Sequence, residues 1–444
     1  MITNIRLQNY KSFTNINFNL KKNKNEIRKL ALVYGENGAG KSNLISAINT
    51  LIALFDTIVS VQELEKFNLK FSDLKDDFRS QMLLEKIKRG YRTTETIIAD
   101  CKTIDSDDPM VIEIEFNFDN KKGSYLIETN DKMIIKEKLE YTINKNRGIY
   151  FEIDNDKHYI NNSIILSDKY KVELESLVEQ YWGKHTFMSI IKNEINQKNE
   201  EFLTRVFLNN FWDVFQRLHY INCDLKEGNF AERKCLTRNK NILVDFEKGL
   251  INKNKKGIIE KTEIFVNEIF TKLYSDIKKA YYEIETRGDD ELFYQLFIDK
   301  IIGNKLRKIP IEKESTGTLK ILELMPTLLT AIDGGIVFID EFDSGIHDLM
   351  ITHILKNVFD YLDGQLIVTT HNSMLMEDED FTEYLYFIDI DVDGEKEIKS
   401  ILDYGVRTRN TNNARTRYHN GIYGAVPFCS DIDFDYMNEK IKGE

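Results

Sequence analysis

The sequence predicts an α/β fold of the P-loop NTPase class: a mixed sheet with an antiparallel subdomain and a mostly helical insert. Three observations predict it. Residues 35–42 read Gly-Glu-Asn-Gly-Ala-Gly-Lys-Ser, a complete G-x-x-x-x-G-K-S loop. An apolar run (30–34) precedes it and a helical pattern (43–54) follows, which is the strand–loop–helix setting the loop requires. Towards the other end, two short apolar strands, 336–339 and 365–369, alternate with helices at 319–333 and 348–362, as in a parallel sheet. Finally, residues 1–34, 111–118, 124–128 and 133–139 alternate apolar with polar and read as antiparallel strands.

The loop carries its own chemistry. Gly35, Gly38 and Gly40 let the backbone N–H groups of 35–42, including those of Glu36, Asn37 and Ala39, turn towards one anion. The following helix points its positive end at the same place. Lys41 is expected to reach the β/γ-phosphates of ATP, and Ser42 to hold Mg²⁺.

The chain has 444 residues, enough for two to three domains. With 42% hydrophobic and 30% charged residues it can build a core, and general disorder is excluded. A formal net charge of −12 argues against a surface coated in cations for nucleic acid, although a local basic groove is compatible with it. The four cysteines, Cys101, Cys223, Cys235 and Cys429, have no C-x-x-C spacing and read as free thiols. No signal peptide or membrane span is visible, so a cytoplasmic protein is expected.

Three segments follow: 1–150 and 306–444 as two parts of one ATPase head, with 151–305 between them as a helical insert or arm. In the insert, helical periodicity covers 168–182, 186–219 and 258–285. The 21–29 stretch reads as a solvated, charged hairpin tip. Gly334 and Gly335 close the 319–333 helix.

Further site residues come from the C-terminal part. Asp340 and Glu341 end the 336–339 strand, the Walker B arrangement; Asp340 is expected to help hold Mg²⁺ and Glu341 to orient or deprotonate water. Ser315 and Gly317 open the 319–333 helix and form a second phosphate-binding end. One chain cannot easily bring that end to its own P-loop, so a two-fold dimer is expected, each subunit closing the other's nucleotide. His371 ends the 365–369 strand, where it can sense a γ-phosphate.

The order P-loop, Ser-x-Gly, Walker B, Asp343-Ser344-Gly345-Ile346-His347, then His371 resembles the ABC-type ATPase heads of SMC and RecF proteins. The opening Leu7-Gln8-Asn9-Tyr10-Lys11-Ser12-Phe13 resembles their first strand and turn. Glu314-Ser315-Thr316-Gly317-Thr318, the 340–347 run and Arg417-Tyr418-His419-Asn420-Gly421-Ile422-Tyr423-Gly424-Ala425-Val426-Pro427 resemble more narrowly the bacterial AAA15-type ATPases, including the RloA-like, AbiL-like and PARIS-type defence ATPases. The resemblance covers about 1–150 and 300–430. It implies an antiphage-defence (abortive-infection) switch that acts as a homodimer or higher oligomer through ATP-bound heads and controls a separate effector, such as a TOPRIM-like nuclease. It implies Lys41 and Ser42 as nucleotide and Mg²⁺ contacts, Ser315 and Gly317 as contacts made in trans, Glu341 as catalytic base and His371 as switch. The alternative is a RecF/SMC-like ATPase that binds DNA in repair or maintenance. The Q-loop glutamine has only two candidates by location, Gln62 and Gln81.

Residues 372–444 are too few for a nuclease domain in addition to the strands the head needs. Asp389, Asp391 and Asp393 read as a hairpin face rather than a metal cluster. Arg407, Arg409, Arg415 and Arg417 could meet nucleic acid, but an arginine-rich connector paired with acidic groups is the plainer reading. Lys86, Lys88, Arg89 and Arg92 read as a helix face.

Overall fold

The computed structural model describes the chain except residues 25, 71–91, 144, 226–241, 289, 406–413, 428–430 and 443–444, and the side chains of 68–70. Gln81, Lys86, Lys88, Arg89, Cys235, Arg407, Arg409 and Cys429 therefore lie outside the described residues.

Strands β1 (Ile2–Tyr10) and β2 (Phe13–Asn19) bury alternate residues and pair antiparallel. Strand β3 (Leu30–Gly35) is buried at every position and feeds the loop and helix α1 (Lys41–Phe55). Helix α2 (Thr57–Lys70) leaves α1 with a bend of 67°, so the helical pattern after the loop continues beyond residue 54 as a second helix. After α3 (Thr94–Cys101) come β4 (Met110–Phe118), β5 (Lys121–Thr129), β6 (Ile134–Thr142), β7 (Arg147–Asp154) and β8 (His158–Ile160). Asp119 and Asn120, both at positive φ, make the tight β4–β5 turn. Then follow α4 (Asp168–Tyr181), α5 (Phe187–Lys198), α6 (Glu200–Val206), α7 (Asn209–His219), β9 (Asn222–Asp224) and β10 (Lys248–Asn252). Helix α8 (Lys256–Leu273) leads to β11 (Ile277–Arg287), β12 (Glu291–Ile302) and β13 (Lys305–Pro310). The C-terminal part holds α9 (Thr316–Ile332), β14 (Ile336–Ile339), α10 (Asp348–Asp360), β15 (Gln365–Thr369), β16 (Leu385–Ile390), β17 (Lys396–Ser400), α11 (Ala414–His419) and α12 (Phe434–Lys442).

Among the described residues these strands form three sheets. One is antiparallel, ordered β2-β1-β4-β5-β6-β7-β8; the central mixed sheet is β17-β16-β3-β15-β14-β9; the third is β10-β12-β11, with β13 also on β12. Both faces of the central sheet are covered: Ala31 and Val33 join one core cluster, while Leu30, Leu32 and Tyr34 join the other. The P-loop strand and the Asp340 strand flank β15, so all three end at one edge. This is the expected α/β P-loop fold, its central sheet drawing strands from both ends of the chain and β9 from the middle.

The region 151–305 departs from its reading. Helices α4–α7 do not stand free; Phe187, Ile191, Phe211 and Leu218 share a core with Phe55 and Tyr125. Residues 277–285, read as helix, are strand. A bulge between Ile277 and Lys279 puts Ile277 and Ala280 on one buried face, a spacing of three that imitates a helix. The 21–29 tip is not wholly solvated. Arg28 is 4% exposed, with its guanidinium donating to the carbonyls of Lys21 and Glu383 and to Tyr386 Oη.

Two buried polar side chains tie layers together. Gln365 takes the N–H of Ile2 (2.7 Å) and donates to the carbonyls of Ile2 (2.9 Å) and Arg28 (3.0 Å), joining the antiparallel sheet to the central one. Glu137 of β6 accepts from Tyr125 Oη (2.7 Å), Trp182 Nε1 (3.1 Å) and the Phe187 (2.6 Å) and Met188 (3.4 Å) amides at the start of α5. Burial outweighs these donors and pushes its pKa from 4.5 up to about 7. The folded state therefore holds this proton more tightly than the unfolded chain. The stability it contributes is fully present below pH 4.5 and is lost as pH rises to about 7. Denaturant titrations of wild type and Glu137→Gln should show the difference between them shrinking by roughly 2 kcal/mol from pH 5 to pH 8; a constant difference would contradict it.

Candidate active site

The P-loop is held open by backbone geometry. Gly38 (φ 89) and Gly40 (φ 104) occupy the left-handed region. A Cβ on Gly40 would stand 2.6 Å from the Phe13 ring, so only glycine fits there. Gly40 precedes α1 with no side-chain cap, which leaves the first amides of the helix for an anion. Lys41 is 7% exposed and its Nζ rests on the carbonyls of Gly35 (2.8 Å) and Glu36 (3.0 Å). Burial lowers its pKa, opposed by Asp340, Glu341, Asp343 and Glu36. The chain thus places the P-loop lysine in the field of the Walker B carboxylates. Ser42 is exposed at the first turn of α1.

The Walker B end is wired through Thr369 of β15. Its hydroxyl donates to Asp340 Oδ1 (2.6 Å) and accepts the Glu341 N–H (2.8 Å). Asp340 is 5% exposed. Glu341 has φ 47, a left-handed conformation that is uncommon for a non-glycine residue. The Asp343 carboxylate accepts the His371 N–H at 3.2 and 3.3 Å, and the His371 residue is exposed. Asn372 donates to the carbonyl of Asp348 (3.1 Å), linking this turn to α10.

Ser315 caps α9, its Oγ accepting the Thr318 N–H (3.2 Å). Lys300 grips Glu314 at 2.9 Å just before it. Gly317 lies against the loop after Glu341, where a Cβ would be 2.7 Å from the Gly345 carbonyl. A cleft of about 250 Å³ opens between Thr316, Lys320 and Glu323 of α9 and Asp340, Glu341, Ser344 and Gly345. The structure therefore brings Lys41, Asp340, Glu341 and His371 to one sheet edge and sets Ser315 and Gly317 beside the Walker B end of it.

Hard oxygen donors suit Mg²⁺, and Asp340, oriented by Thr369, together with Ser42 supplies them. Gln62 does not approach this edge; its Nε2 bonds Asn193 on α5 (3.1 Å). Sequence reasoning missed Thr369 and Asp343 as organisers. Asp343 lies inside the quoted 343–347 run and Thr369 ends the 365–369 strand, but their roles depend on strand pairing.

The hairpin and tail pack behind the loop. Asp391 Oδ1 accepts the Asp393 (3.0 Å) and Glu395 (2.8 Å) amides, shaping the β16–β17 turn. Arg415 pairs with Glu377 (2.6 Å). Tyr418 and Tyr423 stack on Phe387 of β16, and Tyr418 also meets Tyr34 of β3.

Among the described residues no single helix is long and apolar enough to cross a membrane. A family model described as "AAA domain, putative AbiEii toxin, Type IV TA system" matches residues 30–193 and 237–377. A Helicobacter pylori protein named ATP/GTP phosphatase is 23% identical over 389 residues, covering 85% of this chain and 87% of that one. An Smc head bound to the C-winged helix domain of ScpA is 17% identical with a TM-score of 0.46, covering 91% of this chain and 99% of that one. The recombination mediator RecF is 11% identical with a TM-score of 0.37, covering 90% and 98%. With the family match spanning more than half of its length, the chain belongs to this AAA-domain family and is an ATPase.

Proposed function

We propose that the ATPase works as a nucleotide-driven switch, with ATP closing the heads of two copies and hydrolysis reopening them. The observation that carries this is the cleft shared by the α9 N-terminus and Glu341. A phosphate brought to Ser315 and Gly317 of one copy is felt at the loop carrying that copy's own base, because Gly317 lies against Gly345. The amides of 35–40 and Lys41 bind the phosphates of ATP. Ser42 and Asp340 would hold Mg²⁺, which when bound would supply positive charge against the phosphates. Glu341 takes a proton from water as its oxygen attacks the γ-phosphorus, and the bond to the bridging oxygen of ADP breaks. His371, positioned by Asp343, contacts the γ-phosphate. Residues 1–150 and 306–444 form the head, with 151–305 as its insert.

The AAA15-like motifs and the AbiEii wording of the family support a role in antiphage defence, with a separate effector such as a nuclease. The tail is the output element in this reading, because Tyr418 packs directly on the P-loop strand. A Ser315→Arg variant separates the steps: it should retain ATP binding, while turnover falls at least about tenfold and no longer rises with protein concentration. Unchanged turnover would contradict closure in trans.

One surface favours the DNA-binding reading. On the β11–β13 face, Arg287 stands 4.3 Å over Phe293 and Lys308 4.3 Å over Phe297, the cation and ring chemistry of single-strand binding. Glu283 and Asp299 on the same face offset its charge, so the switch is the preferred reading.

A further inference from the structure

The acidic hairpin after β16 delivers a lysine to the P-loop. Lys396, the first residue of β17, donates from Nζ to the Gly38 carbonyl (3.0 Å) and to Ser12 Oγ (2.7 Å). Ser12 Oγ also accepts from Asn43 Nδ2 on α1 (2.8 Å). Phe13, whose ring centroid lies 5.7 Å from the same ammonium, packs against Gly40. One ammonium, one hydroxyl and one ring thus grip the loop at residues 38, 40 and 43. The hairpin is held in place by its own contacts: Asp391 shapes its turn and Glu395 accepts from Thr14 on β2.

We propose that Lys396 is a positioning residue for phosphate binding, a brace that sets the P-loop in its receptive form. The inference rests on the reading of 35–42 as the nucleotide site. Its logic is that of a planar peptide. With the Gly38 carbonyl drawn to Lys396, the Ala39 N–H of the same peptide unit points the opposite way. That N–H now rests on the Glu36 carbonyl at 3.2 Å, at the long end for such a bond, and a phosphate oxygen can take it over. An ammonium has three donors, and two are used here. Burial lowers the Lys396 pKa against the pull of Glu36, so an arriving polyanion favours the charged, bracing form. Lys41 and Lys396 divide the work: Lys41 meets the phosphates, and Lys396 holds the backbone that meets them.

The test compares Lys396→Met, Lys396→Arg and Lys41→Ala in the full chain, using a fluorescent ATP analogue for binding and phosphate release for turnover. Lys396→Met should raise Kd and KM for ATP about tenfold while kcat stays within about threefold. Lys396→Arg should restore most of the affinity. Without nucleotide the melting temperature of Lys396→Met should match wild type, and the rise produced by ATP should be smaller. Wild-type Kd and KM in Lys396→Met, with binding lost in Lys41→Ala, would overturn the brace alone. A nucleotide-free melting temperature that falls along with affinity would reduce Lys396 to a structural residue and overturn it too. Normal binding and turnover in Lys41→Ala would overturn the nucleotide site itself and the brace with it.

Discussion

Glu341→Gln should lower ATP turnover by about a hundredfold or more while leaving ATP binding intact. Glutamine keeps the shape of the side chain and its place in the cleft but has no basic oxygen to take the proton. The backbone N–H that holds residue 341 to Thr369 is unaffected, and Asp340 keeps its own bond to the same hydroxyl. Single-turnover phosphate release checks this, alongside nucleotide binding at equilibrium. A variant retaining more than about a tenth of wild-type turnover would mean that another group takes the proton. The left-handed φ at 341 adds a second expectation: the residue is held there by Thr369, so Thr369→Val should lose turnover without losing ATP binding.

Gln365→Leu should cost about 3–5 kcal/mol of stability. The site is fully buried, and the substitution strands the Ile2 N–H and the Ile2 and Arg28 carbonyls, three backbone groups that then have neither the side chain nor water. Leucine fills nearly the same volume, so the loss reports polar satisfaction rather than a cavity. Since Gln365 is the seam between two sheets, urea unfolding should also broaden or split, with the antiparallel sheet loosening first. A loss below about 1 kcal/mol would show that the seam is carried by apolar packing alone.

The parts of the fold written locally were legible. The strands 336–339 and 365–369 have the bounds read from their apolar runs, and α9 ends in a cap of the expected kind, with Gly334 at positive φ and the Gly335 N–H on the Thr330 carbonyl. The P-loop stands out because its chemistry demands particular residues at fixed spacing, and Asp340, Glu341 and Ser315 take their expected roles from its company. What depends on distant pairing was not legible. Lys396 and Ser12 are 384 positions apart and meet only because β17 packs against β2. The β11 bulge disguised a strand as a helix. Arg28 looked like a surface charge because nothing local announces the carbonyls of Lys21 and Glu383 that receive it.

The central claim is ATP-driven closure of two heads, and light scattering on Glu341→Gln with and without ATP–Mg²⁺ tests it most directly. The account predicts a smaller species without nucleotide and a stable shift to at least twice that mass with it, abolished by adding Ser315→Arg. A mass indifferent to nucleotide, in a protein shown to bind ATP, would contradict closure and leave an ATPase whose turnover is not coupled to assembly.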